Sequence, residues 1–174
     1  MRLFHVSEEP DIEIFLPRKP LRKDLKQEPP LVWALCERTL PNFFTPRNCP
    51  RVTFHATETT TLAEENRFFA TASRHALWIE PGWVETMAST VLTVYELPTA
   101  SFVLQDATAG YYTSEESVRP LAVYKIEDLF KALKTFDIEV GITEDLHPLA
   151  DAVKTSNLKF SLCRMGHANR KRSR

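Results

Sequence analysis

Glycine is scarce in this chain. Its 174 residues hold four, Gly82, Gly110, Gly141 and Gly166. They lie too far apart to build a P-loop or a GxGxxG turn, which excludes the usual glycine-rich phosphate cradle. Cysteine is scarce as well. Cys36, Cys49 and Cys163 are odd in number and widely spaced, which is not a disulfide framework and points to a reducing compartment. No stretch approaches the ~18 apolar residues of a membrane span. The opening MRLFHVSEEPD turns acidic after six residues, without the apolar centre of a signal peptide. A cytoplasmic protein with no membrane partner is expected.

Metal-ligand spacing is missing too. None of the five histidines and three cysteines falls into CxxC, HxxxH or HExxH, so no metal is expected. Cys49 lies between Arg47 and Arg51, and such cations lower a thiol pKa. No base accompanies it by spacing, and a structural thiol is the plainer reading.

The remainder is ordinary globular composition, 43% apolar and 26% charged. The length suits one α+β domain over residues 1–168, with 169–174 as a basic disordered tail. Arg170, Lys171, Arg172 and Arg174 concentrate four of the 22 basic residues, leaving 18 against 23 acidic ones in the body. A mildly acidic body is a poor nucleic-acid surface. Nothing in the sequence fixes the oligomeric state.

Strands are predicted over 2–6, 31–36, 51–55, 75–80, 90–97, 101–105, 121–125, 138–142 and 158–163. Ile12, Ile14 and Leu16 alternate as a strand would. Residues 17–30, rich in proline and charge, form the clearest loop. Short helices are predicted over 37–44, 62–72, 81–87, 126–135 and 148–156, the second opened by a Thr61-to-Glu64 capping box. Residues 106–117 read as a polar loop around Tyr111 and Tyr112. Strands outnumber helices without regular βαβ alternation, which favours α+β over a doubly wound sheet.

Three stretches carry a resemblance. Leu3-Phe4-His5-Val6-Ser7, with Phe15-Leu16-Pro17-Arg18 after it, resembles the L-Y-H-G-S strand and F-x-P-R descent of small bacterial ADP-ribosyltransferase-like proteins. Val32-Trp33-Ala34-Leu35 resembles their V-[YF]-A-T strand. Residues 111–121 resemble their [EQ]-W-V-S-x-x-P-V-x-P segment. More closely, residues 3–8 and 46–54 resemble an uncharacterised bacterial family that opens L-Y-H-V-S-E and continues P-R-x-C-P-R-V-T-F. That closer likeness spans nearly the whole chain and supplies no function.

The superfamily resemblance implies split antiparallel sheets with short peripheral helices. It implies NAD as cofactor and cleavage of the nicotinamide–ribose bond, where a carboxylate stabilises the oxocarbenium-like sugar. His5 then corresponds to the ribose-binding histidine, with Ser7 adding a hydrogen bond. Trp33 takes the aromatic slot, and Phe43 or Phe44 walls the nicotinamide pocket. Tyr111 and Tyr112 stand at the usual [EQ]-W position. Glu115 and Glu116 supply the nearest carboxylates, and Arg47 and Arg51 suit the pyrophosphate. Val6 replaces the small glycine of the pattern, and Tyr111 brings no acid. The competing reading is a non-enzymatic module that binds a small ligand or a protein.

Overall fold

A computed structural model describes residues 1–19, 29–107 and 109–169. Most of the 17–30 loop and residues 170–174 of the basic tail lie outside the described residues. In chain order the strands are β1 (Leu3–Ser7), β2 (Val32–Cys36), β3 (Arg51–His55), β4 (His75–Ile79), β5 (Leu92–Leu97), β6 (Val103–Asp106), β7 (Tyr111–Ser114), β8 (Ala122–Ile126), β9 (Glu139–Ile142) and β10 (Lys159–Cys163). The helices are α1 (Leu62–Phe68), α2 (Val84–Ser89), α3 (Leu129–Thr135) and α4 (Leu146–Lys154). The architecture is α+β, with two largely antiparallel sheets and short helices.

The chain divides into two compact units. The first joins Met1–Phe43 to Val91–Ile126 and contains a six-stranded sheet ordered β6-β7-β2-β1-β5-β8. Every pairing in it is antiparallel. Register sorts its side chains, because opposed residues share a face and successive residues alternate. Leu3, His5 and Ser7 face the same way as their partners Leu97, Tyr95 and Thr93. Cys36 is opposite Leu3, so Ala34 and Val32 share that face. Tyr112 and Ser114, opposite Ala34 and Val32, share it as well. Phe15 and Val118 close over it, forming a core with Leu3, Val32, Ala34, Tyr95 and Leu97. Phe4, Trp33, Leu35, Val94, Glu96 and Tyr111 point the other way.

The second unit, Phe44–Thr90 with Glu127–Arg174, holds a four-stranded sheet ordered β10-β3-β4-β9, with β9 parallel to β4. Val52, Phe54 and Ala76 pack one face of it against Phe68 of α1 and Leu146, Ala150 and Val153 of α4. The capping box at α1 forms as predicted, with Thr61 as N-cap and Glu64 closing it. Glu64 also accepts from the backbone and side-chain nitrogens of Asn157 at 2.8 and 3.2 Å, tying the helix start to the turn before β10. These donors hold its carboxyl down at about 2, with the Asn157 backbone bond the largest cause. Its contribution is complete above the ordinary value of 4.5 and disappears as pH falls toward 2. Thr61→Ala is expected to cost ~1 kcal/mol in a urea melt, as a lost N-cap does; an unchanged midpoint would show the cap to be idle.

Several local expectations are corrected. Tyr111 and Tyr112 lie in β7, between β6 and β2, and not in a loop. The polar letters after them misled because Thr113 and Ser114 are buried, each 2% exposed. Ser114 is satisfied there by a 2.9 Å hydroxyl bond to Ser101. Residues 12–16 form no strand. Phe15 alone pairs, with Val118, while Ile14 and Leu16 are exposed. The 37–44 helix reduces to a turn and a 3-10 segment at Leu40–Phe43. Ile126 belongs to β8, and Asp128 starts α3 by accepting from the Lys131 backbone nitrogen at 2.9 Å.

Candidate functional site

His5 sits mid-strand in β1, half-buried, on the Leu3 face. Its Nδ1 lies 3.0 Å from the Trp33 carbonyl. A carbonyl can only accept, so Nδ1 carries the proton and Nε2 keeps its lone pair. Nε2 has no hydrogen-bond partner among the described residues. Burial lowers the His5 pKa, and the nearby Arg18 charge adds to this, against the opposing pull of the Trp33 carbonyl. The ring is therefore a neutral acceptor at pH 7 and is held at one edge.

The Phe15 ring lies against His5 at 4.8 Å between centroids, tilted 53°. Phe15 in turn meets Tyr95 edge-on at 5.2 Å. Backbone bonds of 2.8 and 3.0 Å join Phe15 to Val118. Val118 follows the exposed turn that carries Glu115 and Glu116, and that turn leaves β7 directly after Ser114. The Ser114 hydroxyl accepts from the Glu116 backbone nitrogen at 3.0 Å. Neither carboxylate has a side-chain partner among the described residues. Ser7, on the His5 face, accepts from the Glu9 backbone nitrogen at 3.0 Å, which leaves its own proton to donate.

His5, Ser7 and Tyr112 thus share one face of the six-stranded sheet, with Glu115 and Glu116 on the turn that returns to it. Trp33 and Tyr111 share the opposite face, where their rings meet edge-on at 5.5 Å and Phe43 adds an edge to Tyr111 at 6.1 Å. Trp33 therefore reaches His5 through its carbonyl and not its ring. Arg47 and Arg51 belong to the second unit. Arg51 is 4% exposed and donates to the Cys49 carbonyl at 3.2 Å. Phe44 is also in that unit, buried and edge-on to Phe136. Cys49 is fully buried, and burial pushes its thiol up to about 12 despite the Arg51 charge. That is the state of a structural thiol and not of a nucleophile.

A family model described as a family of unknown function, DUF6886, matches residues 4–168. The chain belongs to that family. No curated protein and no solved structure matches the chain. Within this family member, no described helix is long and apolar enough to cross a membrane.

Three residues beside His5 were not singled out for the site from sequence, namely Phe15, Arg18 and Tyr95. Two of them, Phe15 and Arg18, belong to the F-x-P-R run, whose letters mark a backbone landmark and carry no sign of a site. Tyr95 stands in an apolar strand, VLTVYEL, where nothing in the letters separates an anchoring phenol from a packing ring.

Proposed function

We propose that the chain is an ADP-ribosyltransferase-like domain that binds NAD or a related nucleotide on the His5 face. The observation that carries this reading is the imidazole itself. Its Nδ1–H is committed to the Trp33 carbonyl and its Nε2 is left to accept, which suits a ribose hydroxyl. Arg18, close enough to depress the His5 pKa, supplies a guanidinium for phosphate oxygens. Ser7 adds a hydroxyl donor, and Tyr112 a half-buried aromatic wall. Transfer of ADP-ribose would draw on Glu115 or Glu116 beside the developing sugar cation. A cytoplasmic setting accords with three free thiols.

A second reading, a module that binds without transfer, draws on one observation. Both carboxylates are exposed on a turn and do not project from a strand of the sheet, so no packing fixes them at a reacting centre. Adding millimolar NAD in a thermal melt is expected to raise Tm by mass action, and His5→Ala to abolish the rise. An unchanged wild-type Tm counts against NAD. Where Tm rises, nicotinamide release separates the readings. Transfer requires release that falls in Glu115→Ala or Glu116→Ala, and no release at all leaves the binding module.

A further inference from the structure

Tyr95 is fully buried at the middle of β5, directly opposite His5. Its phenol donates to the Glu9 carbonyl at 2.8 Å and accepts from the Ile12 backbone nitrogen at 3.0 Å. Between those two points the chain turns through Asp11 in the left-handed region, at φ 61°. Three residues beyond Ile12 comes Phe15, whose ring meets the Tyr95 edge and lies against His5. Next come the Phe15–Val118 bridge and Arg18, itself bridged to Leu31. One buried hydroxyl therefore pins the start of the segment that roofs His5. A buried hydroxyl carries a cost unless it is paired, and here both of its bonds go to that segment's backbone. A phenylalanine at 95 would fill the same volume and keep the ring contacts, so the hydroxyl is not there for packing.

We propose that Tyr95 is a positioning residue, whose phenol holds residues 9–18 so that Phe15 seats on the His5 ring and Arg18 stays beside it. Its relevance to a ligand rests on the nucleotide reading above; the positioning itself does not. Tyr95→Phe frees the Glu9 carbonyl and the Ile12 amide to turn to water. The segment loosens, and the His5 ring gains hydration.

The test is an NMR titration of His5 in wild type, Tyr95→Phe and Tyr124→Phe. Tyr124 bonds to Arg2 and Glu96 on the other face, which makes it the control. The wild-type midpoint is expected below 6.5. In Tyr95→Phe it moves up toward 6.5, because desolvation is the main cause of the depression, while Tyr124→Phe leaves it in place. An unmoved midpoint in Tyr95→Phe, or an equal move in the control, overturns the proposal. If Tyr95→Phe does not fold, hydrogen exchange of the wild-type Ile12 amide decides. Protection like that of β5 supports the anchor, and open-chain exchange removes it. NAD melts of the same variants separate the two claims. A wild type blind to NAD whose His5 midpoint still responds to Tyr95→Phe loses the nucleotide and keeps the positioning.

Discussion

Gly110→Ala is expected to lower Tm by roughly 4–20 °C, while Gly82→Ala leaves it nearly unchanged. Gly110 has φ 67°, in the left-handed region, and a Cβ there would come within 2.5 Å of both Cys36 Sγ and Thr39 Oγ1. The backbone alone costs a side-chain-bearing residue roughly 1–2 kcal/mol. Forcing apart a packed neighbour costs roughly 1–3 kcal/mol more. Thr39 cannot step aside freely, since it is 5% exposed and braced against Cys36. The total of about 2–5 kcal/mol converts at roughly 2–4 °C per kcal/mol for a chain of this size. Gly82 has nothing within 4 Å of the same construction and no positive φ. The effect reaches the site, because Gly110 accepts from the Cys36 backbone nitrogen at 2.9 Å and leads straight into Tyr111 and Tyr112. Thermal melts of both variants check it, and equal melting of Gly110→Ala and wild type would show that the turn absorbs the side chain.

Strands with apolar, β-branched or aromatic residues were legible wherever propensity and burial agree. RVTFH and LTVYEL are examples, and they pair as β3 and β5. The β7 strand was not legible. Each of its letters YYTS carries a hydroxyl, and only the fold shows that the Ser114 hydroxyl is paired once buried, with Ser101 and the Glu116 backbone nitrogen. Thr113 and Ser114 thus look like loop in sequence and behave as core in the fold. The 12–16 segment failed in the opposite way. Its alternation put Ile12, Ile14 and Leu16 on one side, yet pairing selected Phe15, which Val118 and the Tyr95 edge receive.

The site divides along the same line. His5 and Ser7 were legible together because a strand's period of two places them on one face. That period also separates Tyr111 from Tyr112, adjacent letters that serve opposite faces of the sheet. A motif quoted as a string hides this alternation. The two arginines expected at a pyrophosphate follow a different logic. Guanidinium chemistry alone suggested the anion site, and the flanking prolines pointed instead to loop carbonyls, one of which, that of Cys49, the buried Arg51 does meet. Arg18 lay in the one run where sequence offered a backbone landmark and no chemistry.

Acid should weaken the fold well above the usual carboxylate range, through His75. His75 and His55 are directly opposed on β4 and β3, with ring centroids 5.5 Å apart. Burial first, and the His55 charge second, lower the His75 pKa to about 4 from the ordinary 6.5. Positive charge is plentiful nearby. Lys159 opposes His55 on its other side, and Arg74 precedes His75, partly offset by its 2.8 Å ion pair with Glu65. The sign follows from which state takes the proton first. Between 6.5 and about 4 the unfolded chain binds a proton that the folded one refuses, so stability is complete above 6.5 and falls as pH drops toward 4. That gap corresponds to up to about 3 kcal/mol. His5, lowered for the same leading reason, acts in the same direction. Glu64 takes over only below 4.5, in the limb that ends near 2. Tm measured from pH 7 down to 4 should therefore fall more steeply in wild type than in His75→Gln, which has no proton to gain. Parallel profiles would mean that the ring at position 75 is hydrated enough in the folded chain to titrate as an ordinary histidine.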